Sequence, residues 1–103
     1  RDWGHAKDYV RAMELILNHN VADDFVCAAG QTNSVRDFAY YVFNKLELPT
    51  NLIETSSRYL RPYDLKELKG DSKKLKKETG WKPEYTFHEM IDEMIDYWDK
   101  TLN

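Results

Sequence analysis

The stretch RDWGHAKDYV (residues 1–10) places charged, aromatic and glycine residues directly before an apolar pattern. That pattern recurs every three or four residues, which puts its members on one face of a helix of about three turns: Ala6, Tyr9, Val10, Met13, Ile16 and Leu17. A charged, aromatic lead-in of this kind is typical of the middle of a domain, where the chain delivers side chains to a site before a helix starts. We therefore expect further chain upstream of Arg1.

Length and composition indicate one small globular domain covering residues 1–103. The chain has 42% apolar residues and a net charge of -3, which suits a modest core and points to no particular partner. No apolar run approaches the roughly 20 residues of a membrane span. The single cysteine, Cys27, lies in the apolar run FVCAA. A free, buried thiol is typical of a reducing compartment, so we predict a cytoplasmic location.

The segments after the first helix alternate between strand-like and helix-like patterns. DDFVCAAG (residues 23–30) is a short apolar run bounded by Asp and Gly, which predicts a buried strand. Ser34 and Asp37 form a capping-box pattern for a helix over 34–46. PTNLIETS (residues 49–56) is a weaker strand candidate, and SRYLRPYD (residues 57–64) is predicted to be a surface loop because its proline restricts the neighbouring backbone.

Two more helices are predicted in the last third of the chain. Asp71 or Ser72 is placed to cap a short helix through KKLKKET, which Gly80 ends in a left-handed conformation, with Trp81 packing the turn onto the core. Thr86 and Glu89 form a capping box for the final helix. Its apolar stripe is continuous: Phe87, Met90, Ile91, Met94, Ile95 and Trp98. The predicted fold class is α/β: a small, mainly helical domain with about four helices and two or three short strands.

The sequence offers no complete catalytic centre. Its four glycines stand far apart, at 4, 30, 70 and 80, so neither a dinucleotide fingerprint nor a phosphate-cradling loop can be written onto it. Its three histidines lie in three different elements, which predicts no metal site. His5 stands three residues before Asp8 on the same helical face, and we interpret it as a hydrogen-bonded structural histidine. The lysines of KKLKK are interpreted as a solvated helix face, so no nucleic-acid partner is predicted.

Arginines in stiff, aromatic-flanked segments are the candidate binding residues. Arg1, Arg58 and Arg61 lie in such segments, and a planar guanidinium is suited to bidentate recognition of phosphate. Asp64 follows Arg61 by three residues. A carboxylate repels phosphate but accepts hydrogen bonds from hydroxyl groups, so the pair fits a ligand that carries both phosphate and a polyol.

Several motifs in order resemble the C-terminal part of the nucleotide-sugar dehydratases and epimerases of the extended short-chain dehydrogenase family, and within it the GDP-mannose 4,6-dehydratases. The motifs cover nearly the whole chain: RDWGHAKDYV, SVRDF, RYLRPYD, LKGDSKKLKKETGWKP and TFHEMIDEMI. The resemblance implies a substrate-binding lobe that lies against a Rossmann domain, which these residues do not include. A nucleoside-diphosphate sugar, GDP-mannose in this branch, would lie in the cleft between the two.

The resemblance also implies roles for four residues. Arg1 and Arg61 would hold the diphosphate, Asp64 would contact the ribose, and Trp3 would line the nucleotide pocket. The family uses NADP, a Tyr-x-x-x-Lys pair, a Ser or Thr and a Glu to oxidise C4 of the hexose, remove water across C5 and C6 and return the hydride to C6. Those groups are expected upstream, so no catalytic or cofactor-binding residue is assigned to this chain and no activity is expected of it by itself.

Two departures keep alternatives open. Asp64 stands where the dehydratases more usually have glutamate, and the connection between SVRDFAYYVFNKL and RYLRP is short. An epimerase or a GDP-heptose dehydratase of the same family therefore remains an alternative. A stand-alone helical module that binds another protein is a third, in which Arg61 and Asp64 form only an ion pair within their loop. The parent enzyme is expected to be a homo-oligomer.

Overall fold

Four α-helices carry the regular structure in a computed structural model that describes residues 1–102. They are α1 (Ala6–Leu17), α2 (Val35–Lys45), α3 (Lys73–Thr79) and α4 (Phe87–Leu102). Two 3₁₀ turns, Thr50–Leu52 and Ser57–Tyr59, lie in the connection between α2 and α3. The four predicted helices are therefore confirmed, with boundaries close to those that their caps indicate.

The predicted strands are wrong: the part of the chain that the structure describes contains none. Residues 23–30 form no regular element and are only partly buried, with Val26 55% exposed. Side chains elsewhere occupy the backbone groups that a neighbouring strand would pair with. The Ser72 hydroxyl accepts from the amide of Ala28 and donates to its carbonyl, both at 2.8 Å. The Asp2 carboxylate accepts from the amides of Ala29 and Gly30, both at 2.9 Å. A segment whose backbone groups have side-chain partners does not need to pair with a neighbouring strand.

The weaker strand candidate, residues 49–56, forms the 3₁₀ turn Thr50–Leu52 instead. Pro49 accepts from the amide of Leu52 at 3.3 Å, and Thr50 accepts from that of Ile53 at 3.0 Å. These local bonds satisfy the backbone within the segment.

The helix ends follow their side-chain signals. The Ser34 hydroxyl accepts from the Asp37 amide at 2.9 Å and the Asp37 carboxylate accepts from the Ser34 amide at 3.0 Å. Thr86 and Glu89 make the same reciprocal pair, both at 3.1 Å. Gly80 ends α3 with φ of 76°, a conformation that costs glycine little. At the start of α3, Asp71 accepts from the amide of the second residue after it at 3.0 Å.

The core centres on Trp81, which is fully buried as predicted. Its neighbours Leu75 and Ala12 are also shielded from solvent. The indole Nε1 donates to the main-chain carbonyl of Asp8 at 2.9 Å, so the one polar atom of the ring is satisfied. This contact holds the GWKP turn against α1.

The Asp8 carboxylate lies in the same region and is only 2% exposed. It accepts from the amides of Glu84 and Tyr85 at 3.0 and 3.2 Å and from the Arg11 guanidinium at 3.2 Å. Buried charge is stabilised only when it is paired and hydrogen-bonded, and here both conditions hold. The residue ties α1 to the segment that leads into α4.

His5 makes a second link between these elements. Its Nδ1 accepts from the amide of Lys7 at 3.0 Å and caps α1. Its other nitrogen therefore carries the proton and donates to Glu93 of α4 at 2.9 Å, and its ring stacks on Tyr85 at 4.0 Å. The predicted structural role is confirmed, with Glu93 as its partner rather than Asp8.

The apolar stripe predicted for α1 is only partly buried. Ala12 faces the core, and Leu15 and Ile16 pack beside it. Val10, Met13 and Leu17 are 62%, 66% and 84% exposed, so the inward face is rotated toward the Asp8 side of the helix. The polar hub at Asp8, which an apolar pattern does not reveal, sets this rotation.

Helices α2 and α4 pack together along part of the predicted stripe. Ile91 is buried and Phe38 and Val42 are half-buried, but Met94 and Trp98 remain 48% and 53% exposed. An apolar groove of about 370 Å³ remains between the two helices toward the end of α4.

The described chain is flat. Its extents are 51 × 38 × 17 Å and its radius of gyration is 17.0 Å, against about 13 Å for a compact domain of this length. The thinnest dimension, 17 Å, is only a third of the longest, 51 Å. Many apolar side chains consequently remain at the surface.

The first prediction concerns Asp8. Replacing it with asparagine would place an NH2 group, itself a donor, against a backbone N–H that now donates to the carboxylate. We expect Asp8→Asn to lower the free energy of unfolding by about 2 to 4 kcal/mol, measured by urea denaturation. Asp96→Asn, at an exposed position of α4, is the matched control, and an equal loss in both variants would contradict the role of Asp8.

The second prediction concerns Gly70, which packs against Ala28. A Cβ added at Gly70 would lie 2.3 Å from that of Ala28, so Gly70→Ala is expected to destabilise the protein by about 1 to 3 kcal/mol. Ala28→Gly removes the Cβ that the new side chain at position 70 would meet. In a double-mutant cycle, the double variant should therefore be more stable than the sum of the two single losses indicates. Strict additivity would show that the contact with Ala28 does not cause the destabilisation.

Candidate functional site

Three of the predicted binding residues meet at one place on the surface. The Asp64 carboxylate lies between two guanidinium groups: Oδ1 accepts from Nη2 of Arg1, and Oδ2 accepts from Nη2 of Arg61 at 3.1 Å. We call these three residues the arginine cluster. Arg1 also donates from Nη1 to the carbonyl of Leu65 at 3.1 Å. Two residues from one loop are thus joined to one that lies sixty or more positions away in the chain.

The backbone on both sides of the cluster is held in place. Arg1 and Asn33 exchange two main-chain hydrogen bonds of 3.0 Å. Pro62 fixes its own φ and restricts the residue before it, Arg61. A stiff backbone reduces the conformational entropy lost when the arginines bind a ligand.

The cluster is open to solvent. The side chains of Arg1, Asp64 and Arg61 are 31%, 44% and 69% exposed. A depression of about 500 Å³ adjoins them, lined by Arg1, Pro62, Tyr63, Asp64 and Leu65. The exposed donors of the two arginines can therefore reach an incoming anion.

The arginines also fix the charge state of the carboxylate. The hydrogen bond from Arg1, followed by the positive charges of Arg1 and Arg61, lowers the pKa of Asp64 below its usual value. Asp64 is therefore ionised at neutral pH and acts as a hydrogen-bond acceptor. Two cations facing one anion leave a net positive charge at the cluster.

Trp3 lies elsewhere, in an aromatic cluster. Its ring stacks on Phe87 at 5.7 Å and meets the edge of Phe38 at 5.5 Å. It lines a separate cleft of about 240 Å³, which also includes Gln31 and Tyr85. The structure thus brings Arg1, Arg61 and Asp64 together, while Trp3 joins the first segment to α2 and α4.

Asp2 positions the cluster, and sequence reasoning gave it no role. Its carboxylate accepts from the amides of Ala29, Gly30 and Gly70 at 2.9, 2.9 and 3.0 Å. It therefore holds together three separate segments next to Arg1. The only signal in the sequence was an acid beside an arginine, which does not distinguish a buried acceptor from a surface ion pair.

Arg58, the third arginine singled out from the sequence, is not part of the cluster. Its guanidinium lies 5.7 Å from the ring centroid of Tyr59, in the 3₁₀ turn that precedes the RP motif. Cys27, expected to be buried, is only half-buried; burial raises the pKa of its thiol, which is therefore neutral at neutral pH.

A Tyr-x-x-x-Lys spacing does occur in the chain, at Tyr41 and Lys45 of α2. Both contact Asp92 of α4: the Tyr41 hydroxyl donates to it at 2.7 Å and the Lys45 ammonium lies 3.5 Å away. The hydrogen bond to Asp92 raises the pKa of Tyr41. A tyrosine that acts as a general base at neutral pH needs a lower pKa, so this spacing marks a contact between helices.

Among residues 1–102, no group of three or more His, Cys, Asp and Glu side chains is placed to hold a metal ion. None of the helices in that part of the chain is long and apolar enough to cross a membrane.

Comparison with known proteins identifies the family. The GDP-mannose 4,6 dehydratase family model matches residues 1–94. GDP-mannose 4,6 dehydratase 1 of Arabidopsis thaliana is 39% identical over 97 residues, which cover 93% of this chain and 27% of the relative. The human GDP-mannose 4,6 dehydratase is 35% identical over 113 residues, which cover 92% of this chain and 30% of the relative. The chain thus spans less than a third of the length of either relative.

A solved structure supports the same fold. The crystal structure of dTDP-glucose 4,6-dehydratase from Bacillus anthracis, in complex with NAD, superposes with a TM-score of 0.84 at 23% identity. The match covers 97% of this chain and 31% of that one. Because the family model covers most of the chain and agrees with the order of its motifs, the chain belongs to the GDP-mannose 4,6-dehydratase family.

Proposed function

We propose that this chain is the substrate-binding lobe of an NADP-dependent GDP-mannose 4,6-dehydratase, which converts GDP-mannose to GDP-4-keto-6-deoxymannose. The observation that carries the proposal is the convergence of Arg1 and Arg61 on one open site. Two guanidinium groups from distant segments suit the two phosphates of a nucleoside-diphosphate sugar. Asp64, the acid beside them, is placed to accept from a ribose hydroxyl.

The flat shape supports the role of a lobe. A layer 17 Å thick with several half-exposed apolar side chains gains stability by packing against another domain. We propose that a nucleotide-binding domain lies against this chain and that the sugar lies between the two. The parent enzyme is proposed to be a cytoplasmic homo-oligomer.

The described residues do not fit the nicotinamide cofactor itself. Cofactor phosphates need a glycine-rich turn into which a ligand can approach. Here Gly4 accommodates the Tyr9 ring, since a Cβ would lie 2.3 Å from its hydroxyl, and Gly70 accommodates Ala28 at the same distance. Protein side chains fill the space beside these two glycines, so we assign the cofactor to the proposed partner domain.

The contribution of these residues to catalysis is binding and orientation. Contacts to the diphosphate lie away from the reacting hexose carbons, and such remote contacts hold the sugar in place for the chemical step. The family match favours this function over the alternative of a protein-interaction module. That alternative predicts an ion pair between Arg61 and Asp64, and this ion pair is present. Under the proposed function, the ion pair is the state of the cluster when no ligand is bound.

The first prediction for this function concerns Arg61. Arg61→Ala is expected to weaken GDP-mannose binding by about 1.5 to 3 kcal/mol, the range for hydrogen bonds to charged groups. Arg61→Lys keeps the charge but loses the planar fork, so its loss should be intermediate. Isothermal titration calorimetry of the full-length protein that contains this chain gives both values.

Arg36→Ala removes an exposed arginine from α2 and serves as the matched control for loss of charge. Its affinity for GDP-mannose should stay close to that of the wild type. Unchanged affinity in Arg61→Ala, or an equal loss in the control, would reject the diphosphate role of Arg61.

A further inference from the structure

The arginine cluster already contains an anion of its own. Each oxygen of the Asp64 carboxylate faces a different guanidinium, with Oδ1 toward Arg1 and Oδ2 toward Arg61. The donors that a phosphate would use are thus partly taken by a group that belongs to the protein. A ligand cannot reach the facing donors of both arginines while this carboxylate stays where it is.

We propose that Asp64 exchanges partners on binding: it leaves the arginines when a diphosphate arrives and accepts a hydrogen bond from a hydroxyl of the same ligand. This inference rests on the proposed function and extends it to selectivity. Every phosphate-bearing ligand must break the same two ion pairs. Only a ligand that joins the diphosphate to a polyol, as a nucleoside diphosphate does, gives the displaced carboxylate a new partner.

The exchange is feasible because both resident ion pairs are open to solvent and one of them is local. Arg61 and Asp64 are three residues apart, and their side chains are 69% and 44% exposed. Ion pairs at such positions contribute little stability and are screened by salt. A side-chain rotation can therefore release the carboxylate without moving the backbone that Pro62 restricts.

Arg1 remains in position when Asp64 leaves. Its Nη1 donates to the carbonyl of Leu65, and its main chain is paired with Asn33. The guanidinium thus keeps one anchor, and the Nη2 donor that Asp64 releases becomes available to a phosphate oxygen. The lowered pKa of Asp64 means that the competing charge is present throughout the neutral range.

The exchange and a purely supporting role for Asp64 predict opposite changes in the affinity for a bare diphosphate. If Asp64 must be displaced, its replacement by the neutral isostere asparagine tightens the binding of a bare diphosphate. If Asp64 merely holds the arginines in position, the same replacement weakens it. Asparagine keeps a carbonyl oxygen that accepts from a hydroxyl, although less strongly than a carboxylate.

The test compares inorganic pyrophosphate and GDP by calorimetric titration of the full-length protein that contains this chain, as wild type and as Asp64→Asn. Pyrophosphate is expected to bind roughly three- to tenfold more tightly to the variant, as the loss of two exposed ion pairs permits. The affinity for GDP should change less than about twofold, because the lost ribose contact offsets the gain. The preference for GDP over pyrophosphate therefore narrows.

Glu67→Gln is the matched control for charge. Glu67 lies in the same segment and accepts from Thr32 at 3.3 Å, so its replacement removes one negative charge without changing the arginine cluster. The ratio of its affinities for GDP and pyrophosphate should equal that of the wild type. A melting curve of each variant checks that the fold is intact.

The outcomes separate the two proposals. If Asp64→Asn binds pyrophosphate no more tightly than the wild type, or gains equally for both ligands, the exchange is overturned while the proposed function stands. If neither the wild type nor the variant binds GDP, the proposed function fails and the exchange fails with it.

Discussion

Two carboxylates in the first eight residues hold this structure together by accepting backbone hydrogen bonds from distant segments. Asp8 accepts from the amides of Glu84 and Tyr85, while Asp2 accepts from three amides at positions 29, 30 and 70. Backbone donors removed from water need partners, and in most α/β domains neighbouring strands provide them. Here side chains do so, the Ser72 hydroxyl among them, which allows a flat chain with few buried residues to keep one arrangement.

The same constraint positions the proposed binding site. Asp2 fixes the segment that begins with Arg1, and the loop after Ser57–Tyr59 brings Arg61 and Asp64 against it from sixty or more residues away. The arginines belong to segments that are stiff for different reasons, main-chain pairing with Asn33 in one case and proline geometry in the other. A site assembled in this way is largely formed before its ligand arrives, so little conformational entropy is lost on binding. Its own carboxylate then becomes part of the recognition, because it competes for the donors that the ligand needs.

Local chemistry accounts for what could be predicted. Helix caps depend on residues three apart, and the boxes at Ser34 and Thr86 formed as their spacing indicates. The left-handed end at Gly80 and the burial of Trp81 also followed from local signals. The strands failed because an apolar run shows that a segment is covered, not what covers it: Ser72 and Asp2 took the place of a neighbouring strand. The face of α1 was placed wrongly for a related reason, since the buried residue that orients the helix is a charged aspartate.

The sequence by itself determined the helices, their ends, the family motifs and the residue types of the proposed phosphate-binding site, because each depends on neighbours within a few positions. The family resemblance implied that Arg1, Arg61 and Asp64 act together, but only the tertiary structure showed that the carboxylate joins the two guanidinium groups and that Trp3 packs against α2 and α4. Only the tertiary structure, too, decided that Asp2 and Asp8 are acceptors for distant backbone. Those outcomes depend on which segments meet in space, and hydrogen bonds between positions more than twenty residues apart leave no periodic trace in one sequence.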